Sequence, residues 1–313
     1  MPQPSPAPTP APPSSMVPQS HVSGEADRTR PEISVVAPAH NEEANVRALV
    51  DEVGAAMTAV GVPFEFIVVD DGSTDATRAR VFDLMRDRPW LRCVAMTRTP
   101  PGKGGGQSAA FSAGIQEARG RLIATLDADL QNDPKDLVRM HQLILSADTD
   151  MVQGDRSHNR KDNAFRRVQS AIGRWFRRSL LGDTIRDTGC SLRLFKREIG
   201  VQLPLTLRGM HRFIPVTARH LGYRVVEMPV NHRPRTAGET KYGMGVAKRA
   251  IPGLIDLFAV RYMKNRRRPV DHAEITLHSP PHAHQAQKPD QPDVVVSSRG
   301  VRQSARSAAG AQA

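Results

Sequence analysis

Leu122-Ile123-Ala124-Thr125-Leu126-Asp127-Ala128-Asp129-Leu130-Gln131 is an apolar run that ends abruptly in acid. Its first five residues read as a buried strand. In an extended segment, residues at i, i+2 and i+4 share a face. The spacing therefore predicts that the carboxylates of Asp127 and Asp129 converge with the side-chain amide oxygen of Gln131. Hard oxygen donors of this kind suit Mg²⁺ or Mn²⁺, which can bridge a diphosphate. A lone Asp-x-Asp reads equally well as a solvated turn ahead of a helix at Pro134. The apolar strand before it, and a second cluster of the same build, favour the site.

That second cluster follows Phe64-Glu65-Phe66-Ile67-Val68-Val69, another strand, which stops at Asp70-Asp71-Gly72-Ser73-Thr74-Asp75. Gly72 and Ser73 fit a turn, and Asp75 can start the next helix. Asp71 is placed to accept from a base edge or a ribose hydroxyl. Ile33 to Ala37 is a strand too, with Asn41 as the predicted cap of the helix that follows and Glu42 and Glu43 in its first turn. Further strand signals lie at Leu91 to Met96, Asp150 to Gln153 and Tyr223 to Met228, with helices at Gln107 to Ala118 and Phe165 to Leu181. The alternation predicts an α/β chain, its largely parallel sheet flanked by helices. The polar clusters follow strand C-termini, where ligands bind in open sheets of this kind. Gly102-Lys103-Gly104-Gly105-Gly106-Gln107-Ser108 fits neither the Walker loop nor the dinucleotide fingerprint. It reads as a flexible loop leading into a helix, with Lys103 able to reach a phosphate.

The chain has 313 residues, a formal net charge of +12 and a pI near 10.4, with a mean hydropathy of -0.43. The charge favours an anionic partner. Aromatic residues make up 4% of the chain, too few for base-stacking surfaces, so no specific nucleic-acid binding is expected. Cys93 and Cys190 form neither a disulfide framework nor a metal-ligand spacing and read as small buried residues in a reducing compartment. Residues 1–30 read as a disordered Pro-rich arm without the apolar core of a signal peptide. Residues 269–313 read as a disordered tail. Residues 31–245 are the expected catalytic domain. No apolar run approaches the ~18 residues of a spanning helix. The longest, Ile251 to Val260, contains Pro252 and Asp256. Residues 246–268 read as an amphipathic helix, with Ile251, Leu254, Ile255 and Phe258 on one side and a basic end at Arg261, Lys264, Arg266, Arg267 and Arg268. Such a helix can pack on the domain, lie on an anionic membrane surface, or both.

Taken in order, these motifs resemble family 2 glycosyltransferases of the GT-A fold. Within them the chain is similar to the dolichyl- and polyprenyl-phosphate glycosyltransferases, the group of the dolichol-phosphate mannosyltransferases and the undecaprenyl-phosphate aminoarabinose and glucose transferases. The resemblance runs from about Ile33 to about Met263. It rests on Val35 to Glu43, Val69 to Asp75, Thr125 to Pro134, Asp187-Thr188-Gly189-Cys190-Ser191-Leu192-Arg193, His211-Arg212-Phe213 and Gly238 to Gly243. It implies an inverting enzyme that moves a sugar from a UDP- or GDP-linked donor to an undecaprenyl or dolichyl phosphate. The implied location is the inner face of the plasma membrane, held peripherally.

The resemblance also assigns roles. Pro38, His40, Glu42 and Asp71 would line the base and ribose, with His40 where tyrosine is often found. Asp127, Asp129 and Gln131 would hold Mg²⁺ or Mn²⁺. Arg235 and Lys241 would close over the diphosphate. Arg156, Arg166 and Ser170 would hold the acceptor phosphate, and Arg forks suit phosphate oxygens. A phosphate acceptor is already an anion and needs no general base, so Asp129 is the residue most expected to be essential. A family 2 enzyme acting on a sugar hydroxyl would instead require a base, usually a carboxylate facing the acceptor. A non-catalytic accessory protein would not be expected to keep Asp127, Asp129 and Gln131.

Overall fold

The chain alternates strand and helix from Ile33 to Asp155: β1 (Ile33–Ala39), α1 (Val46–Val60), β2 (Phe64–Asp70), α2 (Thr77–Met85), β3 (Leu91–Ala95), α3 (Gln107–Glu117), β4 (Leu122–Thr125), α4 (Asp136–Ser146) and β5 (Met151–Asp155). Then follow α5 (Ala164–Leu181), β6 (Arg193–Lys196), α6 (Arg197–Gln202), a 3-10 turn at Met210–Phe213, α7 (Ile214–His220), β7 (Val225–Pro229) and α8 (Val246–Arg266). The structure is a computed structural model. It describes residues 30–158, 164–234 and 246–268, with side chains described outside residues 164–172 and 246–251.

The seven strands form one sheet in the order β3-β2-β1-β4-β6-β5-β7. All neighbours are parallel except β6, which runs antiparallel to both β4 and β5. The expected parallel α/β sheet is therefore present, with one inverted strand that its basic sequence, Arg193-Leu194-Phe195-Lys196, does not advertise. The order reverses at β1, which has β2 on one side and β4 on the other. A crevice opens at the carboxyl ends of strands at such a switch point.

Alternation along β1 divides the core into two layers. Ile33, Val35, Ala37 and Ala39 pack with Leu49, Val53 and Met57 of α1 and Leu137 and Met140 of α4. Val36 packs on the other face with Phe111 and Ile115 of α3, in a cluster that also takes in Leu257 and Val260 of α8. Burying each such side chain contributes about 1.5–3 kcal/mol. Helix α3 sits so close that a Cβ at Gly114 would lie 2.3 Å from Val36 Cγ1.

One local expectation changes. Asn41 does not cap α1, which begins at Val46 with no acidic residue in its first turn. Asn41 has φ 54°, and its Oδ1 accepts from Thr74 N at 2.8 Å. The side chain that would have capped the helix instead ties the β1 loop to the β2 loop. The helix expected over 246–268 is α8, with Pro252 inside it. In α8 the face that meets the core is Leu257 and Val260, at 4% and 2% exposure. Leu254, Ile255 and Phe258, the stripe singled out from the sequence, stay exposed at 40%, 62% and 53%. The side chain of Ile251 lies outside the described residues. No described helix is long and apolar enough to cross a membrane.

Candidate active site

The end of β2 delivers two aspartates to opposite tasks. Asp70 is fully buried and accepts from Arg78 Nε of α2 at 2.8 Å and from Ser73 N at 3.2 Å. Asp71 turns the other way and holds the glycine-rich loop. Its Oδ1 accepts from Gly105 N at 2.7 Å and Thr99 Oγ1 at 3.0 Å, and its Oδ2 from Gly106 N at 2.9 Å. A Cβ on Gly105 would stand 3.1 Å from Asp71 Oδ1 and 2.9 Å from Thr99 Oγ1, so only glycine lets the backbone come this near. The loop is thus pinned to Asp71. His40 Nδ1 donates to Asp71 O at 2.7 Å, which places its proton on Nδ1. Pro38, next to last in β1, is half-buried opposite Val69 of β2. Glu42 accepts from Asn45 Nδ2 at 2.8 Å. These four residues, expected to line a base and ribose, therefore share one end of the sheet.

The pinned loop runs directly into the second cluster. Gln107, the first residue of α3, donates its side-chain amide to Asp127 Oδ1. Ser191 Oγ accepts from Asn132 Nδ2 at 2.7 Å and donates to Asp127. Burial, and then the neighbouring Asp129 carboxylate, raise the Asp127 pKa above the ordinary aspartate range. Ser191, Arg156 and Arg193 oppose that rise.

The geometry corrects one premise of the sequence reading. The strand ends at Thr125, so Asp127 to Gln131 is not extended. Leu130 has φ 61°, rare for a bulky residue and costly by about 1–2 kcal/mol. Asp129 Oδ1 accepts from Gln131 N at 3.2 Å, which closes a short Asx turn. Asp127 and Asp129 come together through this turn and not through strand alternation. Gln131 stays half-buried, and its backbone carbonyl accepts from Arg233 N at 2.9 Å.

Among the described residues, no group of three or more His, Cys, Asp or Glu is disposed to hold a metal. The donor set is two carboxylates, one of which has its pKa raised by the other. A hard divalent cation that relieves this repulsion and completes its shell with water and phosphate oxygens fits such a pair.

The arginines behind the pair differ. Arg156 is clamped by Asp187, with Nε to Oδ2 at 2.8 Å and Nη2 to Oδ1 at 3.1 Å. Burial disfavours its charge, but the Asp187 carboxylate more than offsets this and raises its pKa. Arg193 is buried inside the sheet at 1% exposure, and burial lowers its pKa to about 10. Next to Gln107, Ser108 Oγ bonds His211 Nδ1 at 2.8 Å, and His211 N donates back to it at 3.0 Å. Burial drives the His211 pKa down to about 3, so the ring is neutral. Gln107, Ser108, Asp187, Ser191, Arg193 and His211 received no role from the sequence. Their signal was present only as motif membership. The side chains of Arg166 and Ser170, and all of Arg235 and Lys241, lie outside the described residues. The backbone places Arg166 and Ser170 on α5.

The comparisons follow the same elements. The family model described as "Glycosyl transferase family 2" matches residues 34–200. A dodecaprenyl-phosphate galacturonate synthase of Rhizobium johnstonii is 41% identical over 237 residues, 74% of this chain and 68% of that protein. An undecaprenyl-phosphate 4-deoxy-4-formamido-L-arabinose transferase of Aeromonas hydrophila is 35% identical over 212 residues, covering 68% of this chain and 63% of that protein. The chain thus spans about two thirds of the length of these relatives. Among solved structures, glucosyl-3-phosphoglycerate synthase of Mycobacterium tuberculosis, in complex with Mn²⁺, UDP-glucose and phosphoglyceric acid, has a TM-score of 0.55 at 20% identity. That similarity covers 76% of this chain and 82% of the other and speaks for the shared GT-A architecture alone. A match over more than half of the chain, with relatives above 30% identity across most of it, settles the lineage: this chain is a member of glycosyl transferase family 2.

Proposed function

We propose that the chain transfers a sugar from a nucleotide-diphosphate sugar to a polyprenyl phosphate. The observation that carries this is the Asp127–Asp129 pair at the switch point of the sheet, with Arg156 and Arg193 acting on Asp127. The relatives' named lipid phosphates supply the acceptor class. Bound Mg²⁺ or Mn²⁺ at Asp127 and Asp129, with Gln131 beside them, would stabilise the negative charge of the departing diphosphate. Pro38, His40, Glu42 and Asp71 orient the nucleoside, and Arg235 and Lys241 close on its phosphates. Arg156, Arg166 and Ser170 hold the acceptor phosphate against the anomeric carbon. A phosphate oxygen forms the new bond to that carbon as the bond to the donor diphosphate breaks, and the nucleoside diphosphate leaves with the electron pair. Direct displacement inverts the centre and leaves no proton for a base to remove.

The acceptor is a lipid, so the site must meet a membrane surface. Trp175 and Phe176 of α5 and Leu254, Ile255, Phe258 and Tyr262 of α8 are exposed apolar residues on two helices that pack together. Arg261 and Lys264 are engaged at the end of α5, donating to Leu180 O at 2.8 Å and Leu181 O at 3.1 Å. Exposed Arg266, Arg267 and Arg268 extend the basic end. We assign this pair of helices to peripheral attachment on the inner face of the plasma membrane.

The test is a panel of UDP- and GDP-sugars with undecaprenyl phosphate and Mg²⁺ or Mn²⁺, scored for lipid-linked product. Arg166→Ala should weaken acceptor use about ten- to a hundredfold, since a charged hydrogen bond contributes about 1.5–3 kcal/mol. Donor affinity, measured without acceptor, should be spared. Product formed only on a soluble sugar hydroxyl would refute the acceptor assignment.

A further inference from the structure

Among the described residues, Arg193 is the largest fully buried side chain. It projects from β6 opposite Thr125 of β4 and Gln153 of β5. Its Nε donates to Gln153 Oε1 at 2.8 Å and its Nη2 to Thr188 O at 3.0 Å, while its Nη1 has no hydrogen-bond partner among the described residues. Both acceptors are neutral. Among the described residues, Arg193 forms no ion pair, whereas Arg156 next to it is matched by Asp187. Interiors rarely hold a charge in this state, because desolvation costs several kcal/mol and a neutral amide and a carbonyl return little of it. A well-packed apolar side chain would be the cheaper occupant.

What the arrangement retains is a positive charge opposite Thr125, the last residue of β4 and two residues before Asp127, in a medium that screens it weakly. Together with Arg156 it favours the charged form of Asp127. We propose that Arg193 is a positioning residue whose uncompensated charge is the built-in counterweight to Asp127 and Asp129, setting how weakly that pair holds a divalent cation before donor arrives. Arg156 also acts on Asp127, but Asp187 is paired with it, which leaves Arg193 as the charge without an ion-pair partner among the described residues. The counterweight keeps the two carboxylates from gripping a cation so tightly that the nucleoside diphosphate could not leave with it. The inference rests on the reading of Asp127 and Asp129 as the metal-holding pair.

The test is a Mn²⁺ titration of the donor-free protein at fixed pH and salt, following free Mn²⁺ by electron paramagnetic resonance. Arg193→Gln should bind Mn²⁺ about three- to tenfold more tightly than the native chain, and Arg193→Lys, which keeps the charge, within about twofold of it. Asp187→Asn uncovers the Arg156 charge and should shift affinity the opposite way, weakening it by a similar factor. A general loss of structure lowers affinity in every variant and cannot give opposite signs. Arg193→Gln binding Mn²⁺ no more tightly than the native chain, or Arg193→Lys shifting as far as Arg193→Gln, overturns the proposal. If Arg193→Gln does not fold, Asp187→Asn decides, and unchanged or tighter binding there overturns it. A native chain that takes up no Mn²⁺ overturns the metal reading and this proposal with it. Native uptake without the opposed shifts overturns this proposal alone.

Discussion

At the end of β2 the carboxylates of Asp70 and Asp71 are met by donors from the protein itself: Arg78 and Ser73 for one, Thr99, Gly105 and Gly106 for the other. At the end of β4, Asp127 has two neutral donors, Gln107 and Ser191, and a second carboxylate close enough to raise its pKa. The two strands lie on either side of β1 in one sheet and carry the same residue type at the same end. The difference is whether the fold completes the electrostatics or leaves a role for a ligand. Asp70 holds a loop, and Asp71 holds the glycine-rich loop at the end of the sheet assigned to the nucleoside. Asp127 and Asp129 keep a repulsion that a cation would relieve. Residues Gly105 to Gln107 join the two ends, so a ligand spanning both would contact one continuous, pinned segment.

Exchanging an acid for an amide at each end should give opposite phenotypes. Asp129→Asn is expected to lower turnover by about a thousandfold, the equivalent of several kcal/mol of lost charge stabilisation. Its unfolding midpoint should stay close to native, because the substitution also relieves the repulsion on Asp127. Excess EDTA should act on the native enzyme as the mutation does. Full activity of Asp129→Asn, or full activity in EDTA, would remove the distinction between the two ends.

Asp70→Asn should show the reverse. The side chain is fully buried, and its partner Arg78 is half exposed and can turn to water. The cost is therefore discounted from that of a wholly buried pair to about 1–3 kcal/mol. Denaturant unfolding reads this directly. Turnover per folded molecule and Mn²⁺ affinity should stay within about twofold of native. A large loss of turnover at native stability would mean that Asp70, too, is chemical and not architectural.

Legibility in the sequence divides along the same line. β1, β2 and β4 are apolar runs that end in polar residues, so their existence and the position of both aspartate clusters could be read directly. β6 was missed because its basic residues mask a strand, and the buried role of Arg193 depends on β4 and β5 flanking it. Asn41 was misread because a capping side chain bonds whichever amide is nearest. Here that is Thr74, 33 residues away in sequence. The donors to the acid pair were out of reach for a similar reason. Gln107 reaches Asp127 across 20 residues and Ser108 reaches His211 across 103. Residue type gives no warning of such meetings. The approach of Asp127 to Asp129 was expected, but by strand alternation. The left-handed Leu130 that achieves it leaves no signature in a leucine.

The smallest effect tests whether the β4 end disfavours charge of either sign. Burial raises the acid at Asp127, and at His211, beside Ser108, the same cause lowers the base to about 3. An unfolded histidine titrates near 6.5. Above that pH the ring is neutral in both states and adds no pH dependence. Between about 6.5 and 3 the unfolded chain binds a proton that the folded chain refuses. Stability must then fall as pH falls, by up to about 1.4 kcal/mol per pH unit. Below about 3 the two states bind alike and the dependence ends. His211→Asn keeps an amide group near the position of Nδ1, where Ser108 can still bond it, and removes the titration. Carboxylates complicate the curve below about pH 5, so the informative window is pH 6.5 to 5, read as native minus variant from denaturant midpoints. The native chain should lose stability across that window faster than His211→Asn. Parallel curves would mean that the folded ring takes up its proton as readily as the unfolded one. In that case water reaches the Ser108–His211 pair, and the contrast with the β2 end would lie in hydrogen-bond partners alone.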